Sequence, residues 1–161
     1  MNIANGAFTG SFTKAGLGIG STPAQVSTAA PDGTGINFAI DGLAYYKVDD
    51  ATATITAATA QAADTTCAYL IQLDSSGTVS SVKGDEVANT LVGTATASGQ
   101  AAVQIPYPAK DRCPIGAIIV TTTAVTFTAA TTDLDASGVE TDYLDFLGGM
   151  PSSPEILQSV A

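Results

Sequence analysis

From residue 36 onward, apolar residues repeatedly alternate with polar or small ones, the period-two signature of half-buried strands. Ile36, Phe38 and Ile40 bracket Asn37 and Ala39, Asp41-Gly42 supplies two residues that tolerate positive φ, and residues 43–48 turn apolar again. This pattern predicts a β-hairpin closed by a two-residue turn. Residues 51–57 set Thr52, Thr54 and Thr56 against Ala and Ile, a strand pattern, whereas the alanines of 58–63 favour a helical turn. An apolar strand is predicted over 67–73, a turn at Asp74-Ser75-Ser76-Gly77 and a returning strand over 78–82. Asp85 and Glu86 suit the positive end of a short helix over 85–91. Further strands are predicted at 101–105, closed by Pro106 and Pro108, and at 115–122, where Ile118-Ile119-Val120 suits a central position. Residues 125–128 are expected beside that central strand, and 140–147 fit either a helix or a strand.

Many short strands separated by Gly, Asp and Pro turns predict a mostly β fold: an antiparallel β-sandwich or jelly-roll-like barrel with extended N- and C-terminal arms. Residues 1–35 carry seven glycines and two prolines with no sustained period, so they are expected to form an extended arm. Its spaced hydrophobes Phe8, Phe12, Leu17 and Ile19 are candidate anchors on a partner surface, because a disordered tail would be more polar. The division is then an arm over 1–35, a β domain over 36–147 and an extended tail over 148–161, where Ile156 and Leu157 are the matching candidates for partner contact.

Composition narrows the function. Apolar residues make up 45% of the chain, aromatics only 6% and Trp is absent, so the core must be built from small and aliphatic side chains. Charged residues reach 12%, about half the usual 25%. The net charge is −10, and the five cations Lys14, Lys47, Lys83, Lys110 and Arg112 are scattered. Nucleic acid and anionic membranes are therefore not expected as partners, since both need a positive stripe. No segment approaches the roughly 20 apolar residues of a membrane helix. The N-terminal residues show neither the charged start nor the apolar run of a secretory signal, so synthesis in the cytoplasm is expected. Cys67 and Cys113 are expected as reduced, buried thiols.

Histidine is absent, which removes Ser-His-Asp and Cys-His catalysis, His-containing zinc sites and the usual base near neutral pH. Two carboxylates could still form a glycosidase pair, but the lack of Trp argues against a carbohydrate site. Gly16-Leu17-Gly18-Ile19-Gly20 imitates a phosphate loop without the Lys-Ser/Thr or helix that should follow. Asp133-Leu134-Asp135-Ala136-Ser137-Gly138 matches the start of a calcium loop, but position twelve is Leu144 instead of Glu. An Asp-rich turn is the preferred reading. The expectation is a protein that is not an enzyme and uses no metal or cofactor.

Residues 65–74, Gly77-Thr78-Val79, Cys113-Pro114-Ile115-Gly116, Ile118-Ile119-Val120, Phe127-Thr128 and 131–139 together resemble a module of virion proteins, especially head decoration or cement proteins of tailed bacteriophages. The resemblance spans roughly 36–147 and carries no catalytic signature. It implies a β-rich protein, commonly a homotrimer, on the capsid surface, bridging subunits of the major capsid protein through extended termini. Other expectations are a tail or fibre component, or a carbohydrate-binding attachment module using Tyr45, Tyr46, Tyr69 and Tyr107, with a hydrolase last.

Overall fold

The computed structural model describes residues 8–28, 35–93, 95–96, 99–151 and 155–156. Those residues are all β, with no helix. In chain order the strands are β1 (Gly10–Ser11), β2 (Leu17–Ile19), β3 (Val26–Thr28), β4 (Ile36–Ile40), β5 (Leu43–Lys47), β6 (Asp50–Ala53), β7 (Thr65–Leu73), β8 (Val79–Ala88), β9 (Ala95–Thr96), β10 (Gly99–Gln100), β11 (Val103–Gln104), β12 (Cys113–Thr122), β13 (Val139–Asp145) and β14 (Glu155–Ile156). They form antiparallel sheets ordered β13-β12-β7-β8, β1-β4-β5 and β2-β3-β6, with the two-stranded ribbons β10-β9 and β11-β14.

β7 and β12 are the centre because both are apolar on both faces. Cys67, Tyr69, Ile71 and Leu73 of β7 join Cys113, Ile115, Ile118 and Val120 of β12 on one face. There they meet Ile36, Phe38 and Ile40 of β4 and Leu17, Val26 and Ala53 of the β2-β3-β6 sheet. Ala68, Leu70, Ala117 and Ile119 point the other way, onto Val103, Ile105 and Phe146. A bulge between Pro114 and Gly116 resets the alternation within β12. Gly116 is required there: a Cβ would lie 2.3 Å from the Leu144 carbonyl oxygen and 2.4 Å from Leu17 Cδ1.

The hairpin forms as expected. Asp41 and Gly42 both take positive φ, 50° and 78°, and Ile40 pairs with Leu43. The other differences have physical causes. Residues 85–91 do not form a helix; β8 runs through to Ala88 because Thr65, Thr66 and Cys67 register with Ala88, Val87 and Glu86, and this pairing outweighs a local preference at the helix end. The turn of helix anticipated in 58–63 is also absent, and Gln61 instead exchanges backbone hydrogen bonds with Phe127. Residues 125–128 form no full strand beside β12. That edge is taken by β13, whose register runs unbroken from Gly116↔Asp145 to Thr122↔Val139.

The boundary at residue 35 does not separate an arm from a body. Ala15, Leu17 and Val26 lie in the main core, and β1 pairs with β4. At the other end, the Ser11 and Gly148 backbones exchange hydrogen bonds, Met150 packs on the second cluster and β14 lies along β11. The described segments towards both ends are held in the sheets, each short strand satisfying backbone groups against a partner strand.

Candidate functional site

The outward face of the β1-β4-β5 sheet carries the main candidate site. Ser11 is paired with Phe38 and points inward, its Oγ donating to the Phe146 carbonyl at 2.9 Å. Alternation therefore turns Gly10 and Phe12 outward. Phe8 and Phe12 stack on each other with ring centroids 5.4 Å apart. Two aromatics four residues apart along extended chain meet this way because Gly10, between them, has no side chain: a Cβ there would sit 2.7 Å from Phe8 Cζ and 2.3 Å from the Gly148 carbonyl oxygen.

The surface continues to both sides. The antiparallel bridge Ser11↔Gly148 places Leu147 opposite Phe12. Across the sheet, the Phe12 N–H donates to the Asn37 carbonyl at 2.7 Å, and Asn37 pairs with Tyr46. One row therefore reads Leu147, Phe12, Asn37, Tyr46, above a floor of Gly10, Ala39 and Ala44. Fractional exposures of 44% for Phe8, 54% for Phe12, 56% for Tyr46 and 64% for Leu147 show that the surface is open to solvent. Large apolar side chains grouped on one exposed face make it a candidate contact site, whereas the same residues scattered singly would not.

The anticipated anchors divide. Phe8 and Phe12 lie on this face, but Leu17 is buried, capping Gly116 inside the molecule. Ile19 is partly exposed on β2, in a different sheet. Ile156 is in β14, its backbone paired with Val103, and Leu157 lies outside the described residues. Leu147 was not among the residues singled out from the sequence, and Tyr46 was singled out only as a candidate for stacking on carbohydrate. The Asp-Gly turn, which fixes the parity of β5, was the signal that turns Tyr46 outward.

The tyrosines do not share a platform. Tyr69 is buried edge-on against Phe127 at 5.7 Å, its hydroxyl donating to Gln61 Oε1 at 3.2 Å; burial pushes its phenol pKa upward. Tyr45 stacks on Phe38 at 5.5 Å and is half-buried. Tyr46 and Tyr107 remain exposed. The carboxylates with resolved shifts are structural. Burial of Asp74 opposes ionisation, but bonds from the Ser76 hydroxyl, the Thr78 and Ser76 N–H groups and Arg112 outweigh it and hold the pKa at about 2. Glu86 is likewise lowered, burial being outweighed by Lys83 and the Ala62 N–H. Among the described residues no group of three or more His, Cys, Asp or Glu could hold a metal ion. The Asp133–Gly138 stretch is a run of turns, with Ala136 N–H donating to Asp133 and Val139 N–H to Ala136, and it serves to bury Leu134.

Compared with known proteins, the chain matches no family model, no curated protein and no solved structure.

Proposed function

We propose that this chain is a structural protein of a tailed-phage virion that decorates or cements the capsid, holding the major capsid protein through the outer face of β1-β4-β5. The observation that carries the reading is the grouping of Phe8, Phe12, Tyr46 and Leu147 on one exposed sheet face. Burying such a side chain is worth about 1.5–3 kcal/mol. Tyr46 stands in β5, and the backbones of Phe8 and Phe12, which flank β1, are hydrogen-bonded to Gly42 and Asn37, so the backbone entropy lost on docking is less than for a free arm. Charge-poor composition and the resemblance over 36–147 support the same reading. Attachment then depends on a preformed face instead of a free arm.

Preformed capsids from the same phage, stripped of the protein, test the proposal by co-sedimentation. Saturable, stoichiometric binding of the intact chain, sharply reduced by the double substitution Phe8→Ala and Phe12→Ala, is expected. No binding to capsids, or binding to isolated tails instead, would overturn it.

A further inference from the structure

We propose that the free edge of β5 is a pairing site for a second copy of this chain, joined through antiparallel β5–β5 contact about a two-fold axis. The proposal does not depend on the capsid reading. It starts from hydrogen-bond parity. In a hairpin closed by two residues, the flanking pair Ile40–Leu43 exchanges hydrogen bonds, as do alternate pairs beyond it. The intervening Ala44 and Tyr46 then direct both N–H and C=O away from β4. An independent contact fixes this parity: Asn37, the partner of Tyr46, gives its carbonyl to Phe12 on the opposite side. Nothing among the described residues takes the outward groups of Ala44 and Tyr46, and β5 is an end strand of its sheet.

The other edges of the three larger sheets are guarded. β1 is closed by Gly148. β13 presents exposed Glu140 and Asp142. β8 is bulged at Gly84, which the Gln104 carbonyl approaches, and its Ser81 N–H is held by Thr56 Oγ1 at 3.0 Å. On β6, the Asp50 carboxylate takes the Thr52 N–H at 3.0 Å. β2 is only three residues long, and its Leu17 N–H is taken by Asp145 Oδ1 at 2.9 Å. By contrast, β5 runs Leu43-Ala44-Tyr45-Tyr46-Lys47, and its one charge is folded back onto Asp50 at 3.1 Å. Edges of this kind pair with further strands unless charge, proline or a bulge prevents it.

The occupant is a second copy because the strand is self-complementary. With Tyr46 opposite its own counterpart, Ala44 falls opposite Val48, Tyr45 opposite Lys47 and Leu43 opposite Asp49, so no like charges face each other. Apolar Leu43 and Val48, both exposed in one copy, are brought to the joint. The two sheets become one of six strands, and the rows Leu147-Phe12-Asn37-Tyr46 run on across the axis as one continuous outer face. Each copy carries −10, so pairing through backbone and apolar contact strengthens as salt screens the repulsion.

The test is sedimentation equilibrium of the intact chain at micromolar to tens of micromolar concentration, in low and high salt. Two chain masses, favoured by salt, are expected. Ala44→Pro removes an outward donor without touching the β4 ladder, and should raise the dimer dissociation constant about tenfold or more. Ala44→Lys places a charge on the edge and should act in the same direction if the proline variant misfolds. Thr52→Lys, an equal change of charge on exposed β6, should leave the dimer intact. A monomer across that range, a mass of three chains, or a dimer unmoved by both Ala44 variants while their circular dichroism stays native would overturn the proposal.

Discussion

Gly116 shows how one missing side chain shapes the centre of this molecule. Leu17 drops into the space over it and the Leu144 carbonyl closes the other side, so Gly116→Ala forces backbone apart. It should cost about 1–3 kcal/mol or more, read as a lowered denaturant midpoint with an unchanged slope. The thiols make a second residue-scale prediction. Burial pushes Cys67 to about 11 and Cys113 to about 12, so neither supplies thiolate near neutral pH. An alkylating reagent at mildly alkaline pH should label neither in the native protein and both in denaturant; prompt labelling of native Cys67 would contradict its place under β8. Asp74 gives the pH dependence. Its folded pKa is depressed to about 2 from 3.8, so its contribution to stability is present above 3.8 and is lost as pH falls towards about 2. Asp74→Asn should therefore lower stability at neutral pH and flatten its acid dependence over that window.

At the scale of elements, what the sequence discloses is what its neighbours in sequence decide. The β4–β5 hairpin was legible because Asp41-Gly42 fixes both the turn and the register. β7 and β12 were legible because a strand buried on both faces is apolar throughout. The helix expected at 85–91 fails for the opposite reason: Asp85 and Glu86 favour a helix start locally, but Cys67 and its neighbours in β7 pull the segment into β8. The Asp133–Gly138 turn carries Leu134 into the core, so its meaning lies in packing. Leu134→Ala should cost about 2–5 kcal/mol, whereas a chelator should leave the melting temperature unchanged. A fall on chelation, restored by calcium, would make the turn a cation site.

Over the whole molecule, the N-terminal segment changes most between sequence and structure. Without a period it reads as an arm, yet it contributes three separate strands: β2 and β3 set Leu17 and Val26 into a core assembled from distant segments, and β1 buries Ser11. No local pattern marks such contributions. Phe8 and Phe12 could be singled out as spaced hydrophobes in a segment without a period, whereas Leu147 joins them only through the long-range bridge at Ser11. One consequence is that removing residues 2–20 should unfold or strongly destabilise the chain, since Ala15 and Leu17 go with them; circular dichroism would show it. The proposed contact face must instead be altered where it stands. Titrating stripped capsids with the intact chain and with the Phe8→Ala, Phe12→Ala variant, both confirmed as folded, compares attachment directly. Full, saturable occupancy by the intact chain and severe loss by the variant is the predicted result. Equal occupancy by the two, or none by either, would contradict the account.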